Sequence, residues 1–275
     1  MVFESLISPW KAEKHPWELF FFGFLYTSVA LSLSLWIFTD YAGLVSVFLT
    51  VMSCIPLMYK TLRVEEEKID YIQEEGSLLR EHGKALSFFI FLFLGITFAF
   101  TTWYVAFPTE VSQSIFSVQI HTILDINGSA TAGVDLFTRI FFNNVKVLTF
   151  CLLFSFFFGA GAIFILTWNA SVIAAAAGGL IKSHIFASNG NIFFAYASGY
   201  SHALIRYFIH GIPEIAAYFI GALAGGIISV AIIRRDFTTK NFQKIAFDTS
   251  NLILLSIALL FVAGLIEAFV TPYFY

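Results

Sequence analysis

Charge is what this sequence has least of. Only 12% of its 275 residues are Asp, Glu, Lys or Arg, while 59% are hydrophobic. A soluble domain carries about 25% charged residues and needs them to cover its surface. This composition excludes such a domain and suits a chain whose solvent is the bilayer. The net charge of −3 and the lack of a basic stripe leave nothing to neutralise a phosphate backbone, so nucleic acid is not expected as a partner. Cysteine is nearly missing: Cys54 and Cys151 both fall inside apolar runs, which argues against a disulfide framework or a thiolate zinc site. Also missing are a phosphate-cradling glycine loop, a dinucleotide fingerprint and a His-Glu-x-x-His helix. The sequence therefore predicts no enzyme and no cofactor. What it has in excess is phenylalanine, 35 residues within an aromatic content of 19%. A water-soluble core of this size has no room for so many rings, and most must face lipid or helix seams.

A hydrocarbon core of about 30 Å needs roughly 20 apolar residues in a helix. Uncharged runs of that length cover Leu19 to Phe38, Ala42 to Tyr59, Ala85 to Phe107 and Val147 to Trp168. Leu252 to Thr271 is interrupted only by Glu267, and Ile212 to Ile233 carries Glu214 as its one charge. The first run is too long for a signal-peptide core and lacks a small-residue cleavage pattern, so a retained helix is expected. Eleven of the 15 Lys and Arg residues lie at Lys11 and Lys14, between Lys60 and Lys84, and between Arg234 and Lys244. Placing all three groups in the cytoplasm requires one more crossing after Trp168, which Ala170 to Ala187 must supply. The expectation is an all-α, polytopic transmembrane bundle of about seven spans, with a cytoplasmic N-terminus, an outside C-terminus and Lys182 snorkelling to the outer interface. Residues 1–84 then form a two-helix membrane hairpin with a charged helical segment from Arg63 to Lys84, and residues 85–275 form a five-span core. In the outer segment Pro108 to Asn144, Phe116, Val118 and Ile120 alternate, while Val134, Phe137, Ile140 and Phe141 suit an interfacial helix. Asn127-Gly-Ser matches a glycosylation acceptor, although a bare three-residue match of this kind more often marks a turn.

An ionised side chain at membrane depth costs at least about 2.5 to 3.5 kcal/mol, so it needs a partner or a function. His210-Gly-Ile-Pro-Glu214 opens the sixth predicted span, its four-residue spacing setting both side chains on one face of a continuous helix. Pro213 also suits a first helical turn. Glu267 falls near the outer end of the last span, and Asn143 and Asn144 lie at comparable depth before the fourth. These five residues form a predicted intramembrane polar cluster, with His210, Glu214 and Glu267 as candidate metal ligands. Arg206 and His202, one and two turns before His210, are expected at the surface. Asn169 is expected at a turn or cap between spans four and five, and Pro272 at the closing turn. Gly221 and Gly225, and likewise Gly159 and Gly161, are spaced for close helix packing within or between chains.

Taken together, Asn143-Asn144 ahead of a Gly-rich span, Asn169, His210-Gly-x-x-Glu214 and Ile266-Glu267-Ala-Phe-Val-Thr-Pro272 resemble the stage II sporulation protein M family of integral membrane proteins, over about Ala85 to Pro272. The resemblance implies a five-helix core with its N-terminus inside and C-terminus outside, to which spans one and two are additional. It also implies work beside cell-wall hydrolases at the septum in sporulating members, while many relatives belong to organisms that do not sporulate.

Three functions fit these residues. The first is a non-enzymatic scaffold of the plasma membrane, homo-oligomeric, touching lipid and other envelope proteins, in which the polar cluster clamps the bundle. The second is a transporter or channel whose cluster binds an ion, a proton or a small solute. The third, an intramembrane metal enzyme using His210 and Glu214, needs further ligands. Whether Glu214 and Glu267 meet in a dry seam or line a cavity separates the first two.

Overall fold

Long apolar runs with few helix breakers satisfy their backbone groups within each segment, the only economical solution for a single strand of chain in lipid. The computed structural model describes residues 15–69, 78–127, 133–158, 162–187, 192–233 and 240–274, and every long element among them is a helix. In chain order these are α1 (Glu18–Ile37), α2 (Ala42–Ile69), α3 (Leu78–Ala106), α4 (Thr109–Ile115), α5 (Ser117–Asn127), α6 (Val134–Phe158), α7 (Ala162–Ala187), α8 (Ile192–Ile233) and α9 (Lys240–Leu265). A π-helical turn, Ile266–Val270, and a 3-10 turn, Thr271–Phe274, complete α9. Seven of these helices are long and apolar enough to cross a membrane.

Helix α1 shows the relation to lipid most directly. Trp17, Phe21, Leu25, Val29 and Leu33 recur every fourth residue on its exposed side, an apolar ridge that only a lipid environment tolerates. Exposed Trp17 and Trp36 lie 19 residues apart, about 28 Å along the helix, close to the thickness of the hydrocarbon core. The opposite side of α1 packs on α3. There a Cβ on Gly95 would run into the Phe20 carbonyl, and one on Gly23 into the Leu92 carbonyl. Small residues are needed where two helix backbones come this close. Trp103 of α3 donates its indole N–H to Ser28 Oγ at 3.0 Å across the same contact.

The long helix α8 is the hub, packing on α6, α7 and α9 and touching α2 and α3. Its 42 residues extend about 63 Å, and the part long and apolar enough to span, Ile209–Ser229, is the most buried of the seven candidate segments. The preceding arm lies against α7 through its small residues: Ala195, Gly199 and Ala203 are buried, whereas Phe193, Phe194, Leu204 and Ile205 are exposed. Gly221 and Gly225 face Leu148 and the Leu152 carbonyl of α6. Ser155 Oγ donates to the Ala222 carbonyl, and Ser229 Oγ to the Phe156 carbonyl at 2.6 Å. The predicted small-residue seam at Gly221 and Gly225 thus lies within one chain.

Several boundaries differ from the sequence expectation. The fourth span is Val134–Phe158, not Val147 to Trp168, and the fifth begins at Ala162. Val134, Phe137, Ile140 and Phe141 are therefore the first turns of a span rather than an interfacial helix. Asn169 sits within α7 instead of at a turn, and Pro213 within α8 instead of at a helix start. Phe116, Val118 and Ile120 are in or beside helix, with Phe116 fully buried at the junction of α4 and α5, so their alternation does not mark an extended strand. Lys182 does not snorkel: it is buried, and its Nζ donates to the Phe107 carbonyl and to Ser112 Oγ, both at 2.7 Å. The cation thereby ties the end of α3 to α4. Gly159 and Gly161 lie outside the described residues, as do residues 70–77 in the charged segment, which is helical up to Ile69 and again from Leu78.

Candidate functional site

Five stretches of chain wall a cavity of about 230 Å³ toward the end of the bundle that carries α4 and α5, the latter contributing Ile123. Helix α6 contributes Asn143 and Asn144, α7 contributes Asn169 with Val172, Ile173 and Ala176, and α8 contributes Arg206, Tyr207, His210, Gly211 and Glu214. The turns after α9 contribute Glu267, Thr271 and Pro272. All five residues of the predicted polar cluster are brought to this one space.

Local structure explains how each side chain gets there. On α8, Arg206, His210 and Glu214 repeat every fourth residue, a spacing that keeps them on neighbouring faces of a continuous helix. Pro213 within that helix supplies no N–H to the Ile209 carbonyl, a defect that marks the middle of the cavity wall. On α7, Asn169, Ile173 and Ala176 follow the same facial rule. The π-helical turn Ile266–Val270 holds Glu267. Such a turn adds a residue to the helical repeat and shifts the face its side chains take, and it is frequent at functional sites.

The hydrogen bonds fix some groups and leave others available. Tyr218, fully buried, donates its hydroxyl to Glu214 Oε1 at 2.7 Å. Thr271 Oγ1 donates to the Ile266 carbonyl at 3.2 Å. With its single proton committed there, it accepts from Nδ1 of buried His210 at 3.3 Å. Asn169 Nδ2 donates to the Ile165 carbonyl at 2.8 Å, which frees its carbonyl oxygen. Asn144 is only 5% exposed. It lies close enough to the Glu214 carboxyl to interact with it, and both line the cavity. Glu214 and Glu267 are within electrostatic range of one another, and both are partly exposed.

Among the described residues, no three His, Cys, Asp or Glu side chains come together in a way that could hold a metal ion. His210, Glu214 and Glu267 thus share a cavity without making a three-ligand set. Cys54 and Cys151 are buried and form no disulfide, and neither lines this space. Of the other predicted residues, Pro272 joins the cavity wall, while Gly221 and Gly225 serve the α6–α8 contact.

Three contributors were not expected here. The sequence puts Arg206 at a surface and Asn169 at a turn, and nothing in it distinguishes Tyr218. The signal for Arg206 was in the sequence: extending α8 back from Glu214 in steps of four reaches His210, Arg206 and His202 in turn. Asn169 was misplaced by the shifted boundary between the fourth and fifth spans.

Comparison with known proteins adds one finding. The family model described as Stage II sporulation protein M matches residues 86–272, from the third span through the last cavity-lining turn. Neither the comparison with curated proteins nor that with solved structures yields a match.

Proposed function

The chain belongs to the stage II sporulation protein M family of membrane proteins, and on that premise we propose that it is a transporter or channel whose cavity between α6, α7, α8 and the C-terminal turns binds an ion, a proton or a small polar solute. One observation carries this: the two intramembrane carboxylates and three asparagines line one cavity of about 230 Å³ instead of filling a dry seam. A clamp that only held helices together would gain most from mutual pairing, because each unmet polar group in lipid costs free energy. A proton or a cationic group between Glu214 and Glu267 would offset their repulsion, and Asn143, Asn144 and Asn169 supply amide oxygens and N–H groups suited to a hydrated or hydroxylated solute. The concentration of Lys and Arg at the opposite end of the bundle supports placing the α4–α5 end outside, which would open the site to the outer face of the membrane.

The test is access of water to the cavity. Gly211 lines it, and a Cβ built on Gly211 meets nothing within 4 Å, so Gly211→Cys can be introduced without a clash. In a background with Cys54 and Cys151 replaced by Ala, this cysteine is expected to react with a membrane-impermeant thiol reagent in proteoliposomes. A cysteine at lipid-facing Phe21 is expected to stay inert. No reaction at position 211 from either side, with the protein shown to be folded, would return the cluster to a structural role.

A further inference from the structure

We propose that His184 and His202 form a second, separate site, which binds a divalent transition-metal ion such as Zn²⁺ or Cu²⁺ between α7 and the arm of α8. The argument starts from ring orientation. His184 Nδ1 lies 3.0 Å from the Leu180 carbonyl, and His202 Nδ1 lies 2.9 Å from the Ser198 carbonyl. A carbonyl oxygen only accepts, so in both rings Nδ1 carries the proton and the lone pair sits on Nε2. Metal-binding histidines are oriented in this manner, one ring nitrogen donating to a carbonyl or carboxylate while the other holds the ion.

The two rings come from different helices, with centroids 4.8 Å apart and planes inclined at 33°. A centroid separation of 4.8 Å is short enough for two imidazoles to approach one ion. Imidazole nitrogen suits zinc, copper and nickel rather than calcium or magnesium. His202 is exposed and His184 half-buried, so the remaining coordination positions are open to water or to an anion. Among the described residues no third His, Cys, Asp or Glu joins the pair, which makes this an open two-ligand site rather than a closed structural one. Close packing already holds the helices together here: Gly199 lies against Ile181 and the Cβ of His184. Because His202 stands one turn before Arg206 on the same helix, a bound ion would pin the arm that presents the cavity's Arg206. This site stands on its own observations and does not depend on what the cavity binds.

The experiment uses full-length protein purified without a histidine tag and titrated with Cu²⁺ and with Zn²⁺. One Cu²⁺ per chain is expected to show the electron paramagnetic resonance pattern of two imidazole nitrogens. His184→Gln and His202→Gln are each expected to weaken binding by about tenfold or more, and Zn²⁺ is expected to raise the melting temperature of the parent protein but of neither variant. His121→Gln, at another exposed histidine, should change nothing. Binding left intact by either Gln variant, or a copper spectrum from the parent protein with fewer than two imidazole nitrogens, overturns the proposal. The second measurement needs no variant and holds even if a substitution disturbs folding.

Discussion

Glutamate at membrane depth is tolerated when something compensates it, and at Glu214 and Glu267 the candidates are mutual pairing or a ligand. A change to Gln separates them, because it keeps shape and hydrogen-bonding capacity while removing the ability to carry charge. If the carboxylates serve a solute, Glu214→Gln, which keeps an oxygen to accept from Tyr218, and Glu267→Gln are expected to melt in detergent close to the parent protein. A marked loss would mean that the fold depends on those charges. Lys182 is the opposite case. Its ammonium is committed to the Phe107 carbonyl and to Ser112 Oγ, and its Nζ lies 5.3 Å from the centroid of the Tyr104 ring. Lys182→Met leaves both oxygens without their donor at similar volume, so a loss of about 1 to 3 kcal/mol is expected, with earlier proteolysis between α3 and α5. At this scale the sequence was most legible where charge broke an apolar run: Glu214, Glu267 and the His210 spacing were visible for that reason. It was least legible where a polar residue had two plausible surroundings. Lys182 could have reached outward, and nothing in the local pattern shows that the end of α3 offers it a buried carbonyl.

Elements of this chain were legible in number but not at their edges. Six spans follow from the lengths of apolar runs and the seventh from the alternation that the Lys and Arg groups require, and among the described residues seven helices are able to cross. Helix α6, however, ends at Phe158 and α7 begins at Ala162, both inside the run Val147 to Trp168. The apolar and small residues of that run leave no dip in hydropathy, so it reads as one helix and puts Asn169 at a turn. The joining of the arm to the sixth span was hidden for the converse reason: a proline and a polar motif suggested a start where α8 continues. Pairing between elements is decided by contacts that a single segment cannot display. Gly225 faces the Leu152 carbonyl of α6, so Gly225→Val drives a side chain into backbone that has no rotamer to yield. Overpacking of this kind costs about 1 to 3 kcal/mol. The α6–α8 contact, bonded from Ser155 to Ala222 and from Ser229 to Phe156, should loosen, read as a lower melting temperature. Gly211→Val, at a position where a Cβ meets nothing within 4 Å, should leave that temperature close to the parent value.

At the scale of the whole molecule, the family match begins at residue 86, leaving α1 and α2 outside it, yet the two parts are packed as one body. Leu19, Tyr26 and Leu31 of α1 and Val47, Val51 and Met58 of α2 share a buried cluster with Phe88, Leu92 and Ile96 of α3. In water, removing such a hairpin would expose a hydrophobic face. In lipid the tails cover that face, and what is lost is close packing and the Trp103–Ser28 hydrogen bond, since helix association in a bilayer has no hydrophobic drive of its own. A chain starting at residue 78 is therefore expected to insert and keep its helices while melting well below the full protein in detergent, where tight packing is the main restraint. Co-expression of residues 1–77 as a separate piece should restore part of the difference. The cavity behaves otherwise, because every residue that walls it lies between Ile123 and Pro272. Gly211→Cys in the shortened chain should still react with the impermeant thiol reagent in a bilayer. A shortened chain that melts like the full protein would show that α1 and α2 are passengers. One that loses reactivity at position 211 while remaining helical would show instead that the hairpin shapes the cavity through α3 and α7, the helices on which it packs.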